Sequence, residues 1–381
     1  MDITYIIGQN IDKLREQHNI SVESLAEMVG VTRQTMTNYL KGRQTIDSSK
    51  LNTLAGYLNK PFEYFLTESY NEFSLMFRAD NPRENFDGKL AEKIIQSINN
   101  TCNLLEVSGQ KLTLVPESYK LRLTGKKLNR EDKELIEEIA IKKRQEFGIA
   151  EIVPENIYQI LQEHEINVIS FPFNNSAIYA VSAYSTEYGC FIVINDDANI
   201  SEEKKIFSCL HELGHLIFHK EQYAQNFNLL SHVYGKGKNV YEELANHFAM
   251  CFLVPRSLLK KYKNIFRSKV SILSDVIEIK KHLQVSAKCL IYALDYYGYI
   301  TEKQKGIHIG YLNQNGFRTE EPRPMQVFVK NIFWETMIKE LYVKEKISLS
   351  KICELLKIPV ARARELTRDW LVAQNQPETI L

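Results

Sequence analysis

The stretch His211-Glu212-Leu213-Gly214-His215 combines residue types that can bind a metal ion and move a proton. Residues four apart lie on one face of a helix, so His211 and His215 would present two imidazole nitrogens to one ion. Glu212 falls between them, where its carboxylate can take a proton from a water molecule held by the metal. Because a five-residue H-E-x-x-H pattern also occurs by chance, the interpretation depends on a third ligand.

A second stretch with helical character, residues 241–249, offers that ligand. Glu242 would complete a His-His-Glu set with one position left open, which is what distinguishes catalytic from structural zinc sites. Asn246 lies four residues further on, shares the face of Glu242, and could orient His211 or Glu242 by a hydrogen bond. Helical periodicity does not exclude the neighbouring Glu243, so both carboxylates remain candidates.

Taken together, the two stretches resemble the ImmA/IrrE family of metallopeptidase domains. Residues 211–219 read HELGHLIFH and residues 242–255 read EELANHFAMCFLVP, close to a family pattern of HELGHxxxH followed by ExxANxFAxxLLxP. The resemblance implies a zincin-like fold. It implies that His211, His215 and Glu242 are the metal ligands and that Glu212 is the catalytic base.

A third histidine, His219, lies on the same helix face as His211 and His215. The resemblance implies that His219 is structural and not a ligand. Two imidazoles and one carboxylate favour Zn²⁺, with Mn²⁺ as the second candidate. Since ligation requires neutral imidazoles, any activity is expected to fall at acid pH.

The elements that must position these residues predict a mainly α protein with a small β-sheet, an α+β fold. Acidic residues at 202 and 203 and an apolar stripe predict a helix through the first motif. Short apolar runs at 168–171, 179–184 and 190–194 predict strands. An edge strand beside the metal helix would let a peptide substrate add as another strand. We assign residues 150–300 to this peptidase-like domain.

Residues 1–67 read as five short helices, with a tight turn between the second and the third. Residues 21–42 (SVESLAEMVGVTRQTMTNYLKG) resemble the Xre or lambda-repressor type of helix-turn-helix DNA-binding domain. By this resemblance the third helix enters the major groove. The side chains at the base-reading positions are Arg33, Gln34, Thr35 and Asn38. Lys41 and Arg43 are better placed for phosphates.

The two remaining regions are predicted to be helical. Residues 68–149 form a connector with a clear amphipathic helix at 130–147. Residues 301–381 form a C-terminal tail in which 347–366 repeat a helix-turn-helix rhythm. For this tail we favour a structural cap or a partner site over a second DNA reader.

Composition places the chain among globular proteins. Its 381 residues carry a net charge of +1, so no global field draws it to nucleic acid, and DNA must be bound by a local surface. Six cysteines without C-x-x-C pairs indicate reduced thiols. With no signal-like start and no long apolar run, we expect a cytoplasmic protein that does not bind membranes.

These features predict a DNA-binding transcriptional regulator with a zinc-dependent endopeptidase domain. The resemblance suggests that it cleaves a repressor-like or antitoxin-like protein, or itself, in a stress or mobile-element response. Its expected partners are a double-stranded operator, that protein substrate and a second copy of the chain, since such domains read paired half-sites. One alternative is a non-proteolytic regulator that uses the peptidase-like domain as a ligand or metal sensor. Another is a component of a toxin–antitoxin or phage-defence system.

Overall fold

The computed structural model divides into two compact units, Met1–Asn71 and Glu72–Leu381. It describes residues 3–18, 20–58, 60, 62–66, 74–79, 88–110, 117–121, 123, 127–175, 177–185, 188–223, 240–262, 264–265, 273–317, 320–325 and 332–374. We describe each unit by itself.

The first unit consists of five helices, as predicted. They are α1 (Ile3–Gln17), α2 (Val22–Met28), α3 (Arg33–Leu40), α4 (Ser48–Tyr57) and α5 (Phe62–Leu66). Side chains of Ser21, Thr32 and Asp47 accept hydrogen bonds from the first turns of α2, α3 and α4, so each helix begins at a capping residue. One apolar core joins all five helices, and its fully buried members include Ile11, Leu25, Met36, Leu54 and Phe65.

The turn between α2 and α3 gives this unit its helix-turn-helix. Gly30 has a φ of +65°, a conformation that side chains with a Cβ rarely adopt. The amide of Val31 donates to the carbonyl of Ala26 at 2.9 Å, which closes the turn. Thr32 then caps α3, so the chain changes direction within a few residues.

The second unit is built on a four-stranded sheet of order β1-β3-β4-β2. The strands are β1 (Ser74–Ala79), β2 (Ile166–Phe171), β3 (Ile178–Ser185) and β4 (Gly189–Asn195). β2 runs parallel to β4, whereas β3 is antiparallel to β4 and β1 is antiparallel to β3. The three strands predicted from sequence correspond to β2, β3 and β4.

β1 corrects the prediction of a purely helical connector over residues 68–149. Within that range the structure has this strand followed by α6 (Gly88–Ser108) and α7 (Arg130–Glu146). A short strand exists because a partner pairs with it, and here the partner lies about a hundred residues further along the chain. No local pattern in residues 74–79 reveals that pairing.

The two faces of the sheet are covered by different helices. α6 packs on one face against alternate residues of β3, including Val181 and Ala183. The other face carries α8 (Ile157–Glu163), α9 (Glu202–Tyr223) and α10 (Val240–Leu253), in one core with α7. Because side chains alternate along a strand, Ala180 and Ser182 of β3 lie on the α9 side.

A buried charge cluster fixes the beginning of α9. Glu203 accepts hydrogen bonds from the Lys280 ammonium group and from the Met325 amide, each at 2.8 Å. Glu321 lies 3.2 Å from the same ammonium group. Breaking such a buried pair on one side leaves an uncompensated charge, so α9 is held firmly at its N-terminal end.

The rest of the unit is helical. These helices are α11 (Arg256–Lys260), α12 (Leu273–Leu283), α13 (Ala287–Tyr296), α14 (Glu302–Gln314), α15 (Ile332–Val343), α16 (Leu349–Leu356) and α17 (Val360–Gln374). α15, α16 and α17 pack on α6, and Trp334 donates its indole hydrogen to the Val168 carbonyl at 2.7 Å. These contacts join the tail to the rest of the second unit. Among the described residues, no helix combines the length and apolarity needed to cross a membrane.

Candidate metal centre

α9 and α10 approach each other closely where the H-E-x-x-H motif lies. A Cβ atom at Gly214 would lie 3.2 Å from the Cα of Ala245 and 3.2 Å from the Cδ1 of Phe248. The absence of a side chain at this position therefore allows the two helices to pack at short range. As a result, a carboxylate on α10 can reach the histidines of α9.

Three donor groups converge between these helices. The Nε2 atoms of His211 and His215 are 3.0 Å apart. The carboxylate of Glu242 places Oε2 at 3.3 Å from the first of these nitrogens and Oε1 at 3.2 Å from the second. Both histidines are buried, whereas the Glu242 side chain keeps 35% of its surface exposed, so the cluster can be approached from one side.

These separations fit a tetrahedral ion. Zinc bonds to nitrogen and oxygen measure about 2.0–2.1 Å, and tetrahedral angles then hold neighbouring donors about 3.3 Å apart. The two imidazole nitrogens, 3.0 Å apart, are close to that value, and each lies at a similar distance, 3.3 and 3.2 Å, from a different oxygen of Glu242. A set of two imidazoles and one carboxylate also leaves a fourth position for water or substrate.

Each ring is oriented by a further hydrogen bond at its other nitrogen. The Nδ1 of His211 donates to Oδ1 of Asn246 at 3.1 Å, which leaves Nε2 with its lone pair facing the cluster. The Nδ1 of His215 lies 3.0 Å from Nδ1 of His219. If Nε2 of His215 binds metal, its Nδ1 carries the hydrogen and His219 accepts it. Burial holds the pKa of His219 well below its usual range, which suits a neutral acceptor.

The two neighbouring glutamates of α10 have different surroundings. Burial alone would raise the pKa of Glu242, but the charge of His215 in its protonated form, and the hydrogen bonds that both imidazoles donate when protonated, hold it well below its usual range. Glu243 instead accepts from the amide of Leu128 at 3.3 Å and lies 3.5 Å from the ammonium group of Lys133. The structure thus brings Glu242, and not Glu243, to the histidines.

Glu212 is fully buried on α9, and a hydroxyl from the sheet holds its carboxylate. Ser182 of β3 donates a short hydrogen bond to Oε2 of Glu212. Ser182 was not among the predicted site residues. In the sequence it is a serine within an apolar strand, and strand alternation places it on the same face as Ala180, toward the helix that carries the motif. The contact between His219 and His215 was not predicted either.

The predicted DNA-contact residues lie in the first unit, on or just after α3. Arg33 is 71% exposed, and its guanidinium lies 2.7 Å from the carboxylate of Glu23. Gln34 donates to Asn38 at 3.4 Å. The partly exposed Thr35 interacts with the capping Thr32, while Lys41 and Arg43 are exposed. This face is polar and open to solvent.

Comparison with known families agrees with the description of each of the two units. Residues 161–295 match the model of a family described as the IrrE N-terminal-like domain, and residues 11–65 match a helix-turn-helix family. The chain thus joins an Xre-type helix-turn-helix domain to an IrrE/ImmA-like peptidase domain.

One similar curated protein is an uncharacterized HTH-type transcriptional regulator, y4wC, from Sinorhizobium fredii. It is 27% identical over 89 residues, which are 23% of this chain and 62% of the regulator. The match therefore spans less than two thirds of that protein.

Two similar solved structures are of the competence regulator ComR. The apo form from Streptococcus vestibularis has 14% identity and a TM-score of 0.17, and covers 90% of this chain and 99% of its own. ComR from S. thermophilus, in complex with DNA and its signalling peptide ComS, has 13% identity and a TM-score of 0.20, and covers 92% and 99%. Scores this low do not establish a shared fold.

Proposed function

We propose that this chain is a DNA-binding transcriptional regulator whose second unit is a zinc-dependent endopeptidase. Its substrate is a repressor-like or antitoxin-like protein, or the chain itself. The observation that carries this proposal is the convergence of His211, His215 and Glu242, with the buried Glu212 on the same helix as both histidines. The Nε2 atoms of the histidines and the carboxylate of Glu242 face one another, an arrangement that core packing does not require.

In the proposed reaction, His211, His215 and Glu242 would hold the ion. Bound zinc acts as a Lewis acid that polarises a peptide carbonyl and makes water more acidic. Glu212 accepts a proton from the attacking water and then passes it to the leaving amine. Ser182 keeps the Glu212 carboxylate in place through its hydrogen bond. Asn246 and His219 fix the two imidazole rings, so the donors need no rearrangement before the reaction.

The helix-turn-helix unit supplies the proposed location of this activity. Arg33, Gln34, Thr35 and Asn38 would face base edges, with Lys41 and Arg43 on phosphates. Half-sites of an operator would be read by two copies of the chain. Cleavage at a bound operator would then couple the lifetime of a regulator to its position on DNA.

A comparison of wild type with Glu212→Gln tests the enzymatic proposal. Both proteins are purified without chelator, their zinc content is measured, and each is incubated with β-casein and with itself. We expect near-stoichiometric zinc in both proteins, and cleavage slower by about 10² to 10⁴-fold in the variant. Zinc in both with equal background cleavage would favour the sensor alternative. No zinc in the wild type, even after zinc is added, would overturn the metal site.

A further inference from the structure

The outer edge of β3 is occupied by a strand of the same chain. β1 pairs antiparallel with β3 from Ser74 opposite Tyr184 to Ala79 opposite Ile178, with an irregularity between Arg78 and Ala79. β1 is the terminal strand of the sheet on this side. Without it, the backbone donors and acceptors along that side of β3 would be open to another polypeptide.

This edge is the one beside the candidate catalytic residues. Ser182, near the middle of β3, donates its hydroxyl hydrogen to Glu212. In the strand register, Met76 lies directly opposite Ser182. The Cα atoms of β1 also come within 8 Å of those of α9, the helix that carries both histidines. The backbone of β1 therefore runs past the point at which the sheet touches the catalytic carboxylate.

A peptide substrate that adds to β3 would have the position now held by β1. An extended chain gains main-chain hydrogen bonds by adding to a strand edge, and it gains them on a side that is not yet paired. The opposite side of β3 is paired with β4 over most of its length, from Ala180 opposite Ile194 to Ser185 opposite Gly189. Addition to β3 is thus possible on the β1 side alone.

We propose that β1 is a resident occupant of the substrate-binding edge, and that an extended polypeptide substrate binds there only after β1 has left the sheet. The inference that this edge binds a substrate rests on the proposed peptidase function. The exclusion of an added peptide strand by β1 does not depend on catalysis. A tethered competitor acts at an effective concentration of the order of millimolar, so weakly binding chains are excluded while β1 is paired.

The test measures binding of a fluorescein-labelled peptide with the sequence of residues 71–80, NEFSLMFRAD. All proteins carry Glu212→Gln, so that the probe is not cleaved. One of them also carries Leu75→Pro and Met76→Pro. Every second residue of a strand donates toward a given neighbour, so one of two successive prolines must remove a hydrogen bond to β3. The matched control carries Leu75→Val and Met76→Val, which preserve an apolar, strand-forming sequence.

The expected result is peptide affinity at least about tenfold higher for the proline variant than for the valine control, by fluorescence anisotropy. Equal zinc content and helical circular dichroism establish that the variants are folded. Equal affinity of the two folded variants would overturn the proposal. Cleavage of zinc-loaded wild type within β1, residues 74–79, that is absent in Glu212→Gln would support the proposal. It would mean that β1 itself lies where the site can cut a bound chain.

A cysteine pair tests the same point if the proline variant does not fold. Leu75 and Ala183 are directly opposite in the register, so Leu75→Cys with Ala183→Cys can be joined by a disulfide, verified by mass. The oxidised protein should bind the peptide at least about tenfold more weakly than the reduced one. Equal binding by both forms would overturn the proposal. If zinc-loaded protein with Glu212 intact did not cleave casein while this peptide difference was retained, the peptidase function would be refuted and the occupied edge would stand.

Discussion

The two candidate sites of this chain are built in opposite ways. The metal centre draws on two helices and a strand, and its histidines are buried with each ring held by a further polar group. The predicted DNA-contact face lies on or next to one helix, and its side chains are exposed or partly exposed. The first site is thus organised before any ligand arrives, whereas the second acquires its contacts from the ligand.

The contacts within the exposed face underline this difference. Arg33 and Glu23 form an ion pair of two exposed side chains, and such pairs contribute about 0–1 kcal/mol. DNA can displace a contact this weak. In the metal centre, by contrast, loss of one partner leaves a buried polar group without its hydrogen bond. Substitutions should therefore have larger effects in the second unit than in the first.

The largest effect is expected from substitution of Glu242, for which its neighbour on α10, Glu243, provides the matched control. Glu242→Ala removes one of three donors and should lower zinc affinity by more than about 10³-fold, because the remaining two imidazoles do not complete the site. Glu243→Ala removes a carboxylate of equal charge that contacts Leu128 and Lys133 instead. Competition with a chelating dye measures the zinc affinity of both variants. Equal loss in the two variants would contradict the geometry described here.

A smaller effect is expected from the partner of His211. Asn246→Ala leaves all three donors in place but removes the acceptor of the Nδ1 hydrogen. Loss of such an orienting group typically lowers metal affinity or activity by about 10 to 100-fold. The same dye titration applies, with Asn246→Asp as the conservative variant that keeps an acceptor. If Asn246→Ala bound zinc as tightly as wild type, the ring of His211 would be held by packing alone.

Burial should also make the second unit sensitive to acid. Burial and the charge of Lys133 lower the pKa of His247 to about 4, from 6.5 in the absence of such effects. Protonation therefore favours the unfolded chain, and stability is lost as pH falls from about 6.5 toward 4. This residue alone should cost about 2 kcal/mol by pH 5.

His247→Phe keeps a ring against Tyr296, whose centroid is 4.5 Å away, and removes the titrating group. Denaturant titrations at pH 7 and pH 5 measure how much unfolding free energy is lost on acidification. That loss should be about 2 kcal/mol smaller in His247→Phe than in wild type. The first unit, whose single histidine His18 is exposed, serves as the internal comparison. An unchanged loss in His247→Phe would place the acid sensitivity in other groups.

The smallest effect is expected on the DNA face. Arg33→Ala should weaken operator binding by about 1 kcal/mol, at the low end for a base contact, because the side chain must first leave Glu23. Glu23→Gln removes the competing carboxylate and should not weaken binding. Anisotropy titrations at fixed salt measure the operator affinity of both variants. Zinc content should be the same in both variants as in wild type. A loss in Glu23→Gln as large as that in Arg33→Ala would mean that the pair acts as a unit.

What could be predicted from sequence follows from the range of the interactions involved. Five helices in the first unit and the two motif helices were predicted, because caps and apolar spacing are local signals. Helical periodicity did not decide between Glu242 and Glu243, and only the family resemblance favoured Glu242. Neighbouring residues on a helix differ by about 100°, and the position of the partner helix is not a local property. β1 and the contact of Ser182 with Glu212 depend on pairings far apart in sequence.

Gly214 has a consequence for how the H-E-x-x-H signature is interpreted. The motif leaves this position open, yet any side chain here would press on Ala245 and Phe248 of the facing helix. Metal bonds tolerate deviations of about 0.2 Å, so a separation of the helices by a few tenths of an ångström is enough to weaken the site. One methyl group at position 214 could therefore weaken metal binding while His211, Glu212, His215 and Glu242 all persist. An intact set of chemical residues is thus an incomplete sign of a working site unless the position that sets the helix spacing is examined as well.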